Sequence, residues 1–203
     1  TAGHFGVAFR MYRDRGTHQT LRLGYLPGAY TPDYSEWAKG ESRLMVAVSG
    51  VGDEIRWSSA YGAIKPEGQP LITCDPRLLP IMERSFPELG FVASKRRYKS
   101  VNRVASANYN EVPRRELTYF FDNVGWAAAR SAKKVTTMYD AIGDLRPSAD
   151  SFHRDSAPLI FDAERAGRWR ERMPTRAANV GISWRSELIS YSRIQHYLPF
   201  DAV

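Results

Sequence analysis

Between Arg43 and Ala93 the apolar positions fall in short blocks separated by turns and by helix-like stretches. Leu44-Met45-Val46-Ala47-Val48 is a continuous apolar run of strand length, the pattern of a strand covered on both faces in a parallel sheet. Ser49-Gly50-Val51-Gly52-Asp53 comes next as a glycine-rich turn. Glu54 to Ile64 then reads as a helix with Ile55, Ser58, Ser59 and Gly62 as its packing positions, closed by Pro66-Glu67-Gly68. Pro70 to Thr73 is a second strand. Asp75 is a helix N-cap with Pro76 at the first helical position, and Pro76 to Ser85 presents Leu78, Leu79, Ile81 and Met82 to a core before Pro87 stops it. Leu89 to Ala93 is a third strand. Strand, helix, strand, helix, strand within about fifty residues predicts an α/β fold, a Rossmann-like doubly wound parallel sheet.

The flanking regions are less regular. Residues 1–40 form an irregular arm, in which Phe5, Val7 and Phe9, and again Leu21, Leu23 and Tyr25, alternate as short strands would. Lys95 to Asn110 is a polar, basic loop, Arg115 to Phe121 fits a strand or a helix start, and alanine-rich Trp126 to Lys134 is helical. Gly143 to Ser156 has the look of a linker. Asp162 to Met173 is a short charged helix capped by Asp162, with Ala166, Trp169 and Met173 as a stripe, and Asn179 to Trp184 opens a new strand. The expected organisation is therefore an arm over 1–40, a Rossmann-like domain over 41–160, a linker helix over 161–178 and the first strand and loop of another domain over 179–203.

Composition narrows the class. The chain has 203 residues, 43% of them hydrophobic and 25% charged, which is ordinary for a globular protein and excludes disordered, collagen-like and disulfide-rich classes. No apolar run reaches the roughly 18 residues of a membrane span, and Thr1 to Phe9 lack the character of a signal peptide. The single cysteine, Cys74, fits a reducing compartment, so a cytoplasmic location is expected, and its place at a strand end before Asp75-Pro76 suits a buried, inert thiol. The net charge of +7 suits nucleic acid, an anionic surface or a small anionic ligand. Only Lys95, Arg96, Arg97, Lys99 and Arg103 cluster; the other basic residues are interleaved with acids, so nucleic acid is not the expected partner.

Two places can carry chemistry. At Gly50-x-Gly52-Asp53 the glycines let a ligand approach the backbone, and a helix N-terminus favours negative charge. Ile55 stands where a dinucleotide-binding fingerprint has its third glycine. Asp53 either caps the helix or stands at the carboxyl end of a strand as a base for an attacking hydroxyl. The second place is Trp184-Arg185-Ser186 with Ser190, Ser192, Arg193 and His196, which is either a solvated loop or a phosphate site built from hydroxyls and guanidinium groups. No metal site is expected, because histidines and cysteines do not cluster.

Several segments occur in one order: Val51-Gly52-Asp53-Glu54-Ile55, Cys74-Asp75-Pro76-Arg77-Leu78-Leu79-Pro80, Arg84-Ser85-Phe86-Pro87, Gly143-Asp144-Leu145, Trp169-Arg170 and Val180-Gly181-Ile182-Ser183-Trp184-Arg185-Ser186. Over roughly Trp37 to Leu198 the chain resembles the glycosyltransferase-like domain found after tetratricopeptide repeats in bacterial proteins. That domain is similar to heptosyltransferases and, more distantly, to O-linked N-acetylglucosamine transferases. The resemblance implies a type B glycosyltransferase, with two Rossmann-like domains facing across a cleft and no metal or other cofactor. The acceptor, a glycan or a protein, then lies on the N-terminal domain, and the nucleotide-sugar co-substrate on the C-terminal one. It implies Asp53 as the base, Gly50, Gly52 and Glu54 in the acceptor-side loop, and Arg185, Ser186 and Arg193 at the donor phosphates. Two segments depart from the pattern. Val48-Ser49-Gly50 replaces an acidic residue and Gln, and Ser186-Glu187-Leu188 replaces a glycine-rich stretch, which sets a carboxylate where a diphosphate would lie.

On this resemblance the chain ends about one strand and one loop into the donor-side domain, and a partner chain would have to complete it. Two functional expectations result: the acceptor-side half of a sugar transferase that is inactive as these 203 residues alone, or a degenerate, non-catalytic domain used for assembly. A third reading, weaker than both, is polyanion binding through Lys95 to Arg103.

Overall fold

The structure, a computed structural model, describes residues 7–9, 11, 28–48, 50–95, 121–152 and 159–173. Four parallel strands, β1 (Arg43–Val46), β2 (Leu71–Cys74), β3 (Gly90–Ala93) and β4 (Lys134–Thr137), form one sheet in the order β3-β2-β1-β4. Leu44 pairs with Leu71 on one side and with Val135 on the other, so β1 is central. Both faces of β1 are covered, and Leu44, Met45 and Val46 are inaccessible to solvent, as their unbroken apolar run requires. The expected Rossmann-like α/β sheet is the architecture found.

The helices are α1 (Tyr34–Ala38), α2 (Val51–Trp57), α3 (Leu79–Ser85), α4 (Asn123–Ser131), α5 (Met138–Leu145) and α6 (Ala163–Arg172), with 3-10 turns at Ser58–Ala63 and Ala149–Ser151. The chain divides into two compact units, 1–161 and 162–203. In the first, α1 and α5 pack on β4 and on each other, while α3 and α4 pack on β3. Trp37, Tyr61, Ile72, Met82, Val135, Met138 and Ile142 fill the core around β1.

A buried arginine organises the start of the sheet. Arg43 donates from Nη1 to the Ala38 carbonyl at 3.1 Å and from Nη2 to the Lys65 carbonyl at 3.2 Å and to the Glu67 carbonyl, and its guanidinium lies over the Trp37 ring. At the other end of β1 the ladder is continued by a side chain: the Ala47 N–H donates to Thr73 Oγ1 at 2.9 Å. A threonine is thus accepted in a buried strand because its hydroxyl satisfies a backbone donor.

Several expectations are corrected. Residues 7–9 and 11 are helical rather than an edge strand: Phe9 is buried edge-on against Trp57, which stands edge-on to Tyr139, and Gly143 leaves the room for it. The glycine-rich turn after β1 is shorter than Ser49–Asp53, because α2 already begins at Val51 with Gly50 as its N-cap. The buried face of that segment is Glu54, Trp57, Ser58 and Tyr61, whereas Ile55 and Gly62 are exposed. The helix after β2 starts at Leu79 rather than Pro76, since Asp75 holds a turn in which its Oδ1 accepts the Arg77 N–H and its carbonyl accepts the Leu78 N–H. The alanine-rich helix runs Asn123–Ser131, and a strand, β4, succeeds it at Lys134. Gly143 belongs to the end of α5 instead of opening a linker.

In the second unit α6 starts where expected, with Asp162 accepting the Arg165 N–H at 2.8 Å. Of the expected stripe, Trp169 and Met173 are exposed. The expected elements at Leu21–Tyr25, at 96–110, at 115–120 and at 179–196 lie outside the described residues. Among the described residues, no helix is long and apolar enough to cross a membrane.

Candidate functional site

The strand order places β2 and β3 on one side of β1 and β4 on the other, so the chain reverses direction across the sheet between β1 and β4. Open α/β sheets bind ligands at that reversal, outside the carboxyl ends of the strands. Beyond the end of β1 the chain places Ala47-Val48, Gly50 and the first turn of α2 there; at the end of β4 stand Thr137 and the first turn of α5.

Asp53 stands in that first turn of α2. Its Oδ2 accepts the Gly50 N–H at 3.1 Å, and its Oδ1 pairs with Arg56 Nη2 at 3.2 Å. The Arg56 guanidinium in turn lies over Trp57, 4.1 Å from the ring centroid. The Asp53 side chain nevertheless remains 38% exposed, so it is open to a molecule from outside. These contacts make it a helix cap, one of the two roles its sequence position allowed.

Gly50 is extended, at φ −94° and ψ 173°, a conformation any residue adopts. A β-carbon on it would be 3.8 Å from Asp53 Oδ2, an ordinary contact, and one on Gly52 would meet nothing within 4 Å. Among the described residues, neither backbone strain nor packing accounts for a glycine at position 52. At the second position of α2 that glycine costs up to about 1 kcal/mol relative to alanine, the value for a helix interior.

Glu54 points the other way. It is 1% exposed, and its Oε2 accepts the Asp75 N–H at 3.0 Å, tying the turn after β1 to the turn after β2. Asp75 itself holds Arg77 through both carboxylate oxygens, at 2.9 and 3.0 Å. The hydrogen bond from Arg77 keeps the Asp75 carboxyl below the usual carboxylate range, against the opposing effect of burial. Of the site residues anticipated in the sequence, Gly50 and Asp53 are thus joined directly, Glu54 is committed to an internal tie, and Arg185, Ser186 and Arg193 lie outside the described residues.

Two further carboxylates stand at this edge, outside the residues anticipated in the sequence. Asp140, in the first turn of α5, is buried and accepts hydrogen bonds at Oδ2 from Thr137 Oγ1 at 2.7 Å and from the Tyr30 hydroxyl at 2.5 Å. The Asp140 N–H donates back to Thr137 Oγ1, which completes a capping box. The Thr137-x-x-Asp140 spacing is the sequence signal for it. Asp122 joins the end of β3 to the start of α4: it accepts from Ser94 Oγ, from the Lys95 N–H, and from the Val124 and Gly125 N–H groups. Burial opposes the charged form of Asp122, but these donors outweigh it and hold the carboxyl below its ordinary range.

Cys74 is buried at the end of β2. Burial, with Asp75 and Glu83 nearby, pushes its thiol up to about 12. Among the described residues no group of three histidine, cysteine or carboxylate side chains could hold a metal ion.

No model of a known protein family matches the chain, and no solved structure matches it. It is similar to Protein FlbA of Caulobacter vibrioides, with 26% identity over 168 residues, covering 80% of this chain and 26% of that protein. The chain therefore spans about a quarter of the length of the curated relative it matches.

Proposed function

We propose that the chain is the acceptor-side, Rossmann-like half of a type B glycosyltransferase acting in the cytoplasm on a nucleotide-sugar and a hydroxyl acceptor. The observation that carries this reading is Gly52: an exposed glycine in the first turn of the helix after the central strand, at a cost in helix stability and with no packing against the described residues to explain it. Open space there admits a sugar ring against the backbone beside Asp53. In the reaction, Asp53 takes the proton of the acceptor hydroxyl as its oxygen attacks the anomeric carbon. The bond to the nucleoside diphosphate breaks, and that group departs with the electron pair. Arg185, Ser186 and Arg193 would hold the departing phosphates.

The test is transfer by the full-length polypeptide carrying this sequence, assayed with a panel of nucleotide-sugars, against its Asp53→Asn variant. A fall in turnover of about a hundredfold or more is expected for loss of a general base. Turnover within threefold of the wild type removes Asp53 from the role.

A second reading is favoured by the contacts of Asp53, which already caps α2 and pairs with Arg56. On that reading the domain is a degenerate transferase used as an assembly module, and the other polypeptide it requires is its partner. Isolation of the protein as a stoichiometric subunit of a larger complex without transferase activity supports it; measurable sugar transfer rejects it.

A further inference from the structure

The Asp53 carboxylate is held at both oxygens, by partners of different kinds. Oδ2 accepts the backbone N–H of Gly50 at 3.1 Å, whereas Oδ1 accepts from Arg56 Nη2 at 3.2 Å, three residues further along α2. A carboxyl group with one hydrogen bond can still turn about the bond that joins it to Cβ. Bonds on both oxygens fix its plane, and each oxygen keeps a further lone pair for another donor.

Ionic attraction alone does not hold this pair. The Arg56 side chain is 58% exposed and that of Asp53 38%, and such a pair contributes little when two flexible side chains must be ordered to make it. Arg56 is ordered in another way. Its guanidinium carbon lies 4.1 Å from the centroid of the Trp57 ring, where the ring face attracts a planar cation. Trp57 is itself buried and met edge-on by two rings, Phe9 at 6.0 Å and Tyr139 at 6.1 Å. Tyr139 belongs to the first turn of α5, and Phe9 comes from the N-terminal arm, beside Gly143.

We infer that Arg56 is the positioning residue for Asp53, and that the N-terminal arm takes part through Phe9. Phe9 and Tyr139 set the Trp57 ring, the ring sets the guanidinium, and the guanidinium sets the plane of the carboxylate. The inference rests on the proposed role of Asp53 as a base. In that role the remaining lone pair of Oδ1 takes the proton of the acceptor hydroxyl, and Arg56 decides where that lone pair points. A misaimed base lowers the rate of the chemical step without weakening substrate binding, so the effect belongs in kcat and not in KM.

Two measurements test it. In the 203-residue chain, three-bond NMR couplings to the Asp53 carboxyl carbon are expected to report a single side-chain rotamer. In Arg56→Met they average over several rotamers, and in Phe9→Leu they move the same way by less. In the full-length polypeptide, Arg56→Met is expected to lower kcat by at least about tenfold with KM within about twofold. Arg56→Lys recovers part of that loss, and so does methylguanidinium added to Arg56→Ala, which a purely structural defect would not permit. Unchanged couplings in Arg56→Met, or a kcat within about twofold of the wild type, overturns the inference. Averaged couplings beside a wild type that transfers no sugar would keep Arg56 as the group that holds the carboxylate and reject the role of Asp53 as a base.

Discussion

Gly125 approaches Ser94 so closely that a β-carbon on Gly125 would stand 2.9 Å from that of Ser94 and closer still to its hydroxyl. The Ser94 hydroxyl and the Gly125 N–H are both bound to Asp122, so the end of β3, the cap and the start of α4 form one knot. Gly125→Ala has no free space to occupy. It is expected to destabilise the protein by about 1–3 kcal/mol, the cost of overpacking, measured by urea unfolding. Equal stability of the variant would mean that strand end and helix start separate without cost.

Gly52→Ala has the opposite expectation. Nothing lies within 4 Å of its added carbon, so the variant gains helix propensity and is more stable by up to about 1 kcal/mol. Measured alongside Gly125→Ala under the same conditions, it separates a glycine required by packing from one that packing does not require. A destabilised Gly52→Ala would show an internal constraint and would remove the main support for ligand access at this turn.

Arg43 holds three carbonyls from inside the protein. Arg43→Met keeps the length of the side chain and removes the donors, leaving acceptors of two segments without them. A loss of about 2–4 kcal/mol is expected from thermal or urea unfolding. A loss under about 0.5 kcal/mol would show that water replaces the guanidinium freely.

The Cys74 thiol, at about 12 against an ordinary 9, has a thiolate fraction at pH 8 lower by a factor of about a thousand. Reaction with a disulfide reagent is expected to be undetectable over minutes in the native protein. One equivalent is expected immediately on unfolding. Rapid labelling of the native protein would contradict the burial of this strand end.

Asp75 and Asp122 both titrate below their ordinary range in the folded state. Each therefore binds protons more readily when unfolded, so the stability it contributes is present above the ordinary carboxylate value near 3.8 and is lost as pH falls through the depressed one. Unfolding free energy is expected to be level in these groups' contribution above about pH 5 and to fall steeply below about pH 4. Asp122→Asn should make the acid limb shallower; an unchanged slope would show that Asp122 is not held below its ordinary range.

The part of the fold legible in the sequence is the part with apolar strands. Leu44 to Val48 announces the central strand, and the turns at Pro66-Gly68 and Pro87 bound the helices after β1 and β2. β4 is invisible because it carries a single aliphatic residue, Val135, between Lys134 and two threonines. Those threonines are fully buried, and Thr137 is acceptable there because Asp140 engages its hydroxyl. The buried face of α2 is hidden for a similar reason: Glu54 looks like a surface residue until the Asp75 N–H supplies it with a partner from the next loop. At the site, Asp53 and its glycines stand out because they interrupt an apolar run. Asp140 and Asp122 do not, since their meaning lies in Tyr30 and Ser94, distant in sequence and brought close only by the fold.

Tyr30 does more than meet Asp140. The Val135 N–H donates to the Ala29 carbonyl and the Thr31 N–H donates to the Val135 carbonyl, each at 2.7 Å, so residues 29–31 lie parallel along the outer side of β4. Without that short segment, β4 would present bare donors and acceptors to the solvent, a template for any extended chain that meets it. Shortened versions of the protein that start after residue 33 should therefore be sticky before they are unstable, forming soluble oligomers while the helical signal is still intact. For anyone preparing the domain, the useful boundary lies upstream of Ala29, and the first symptom of missing it will be in the sizing column.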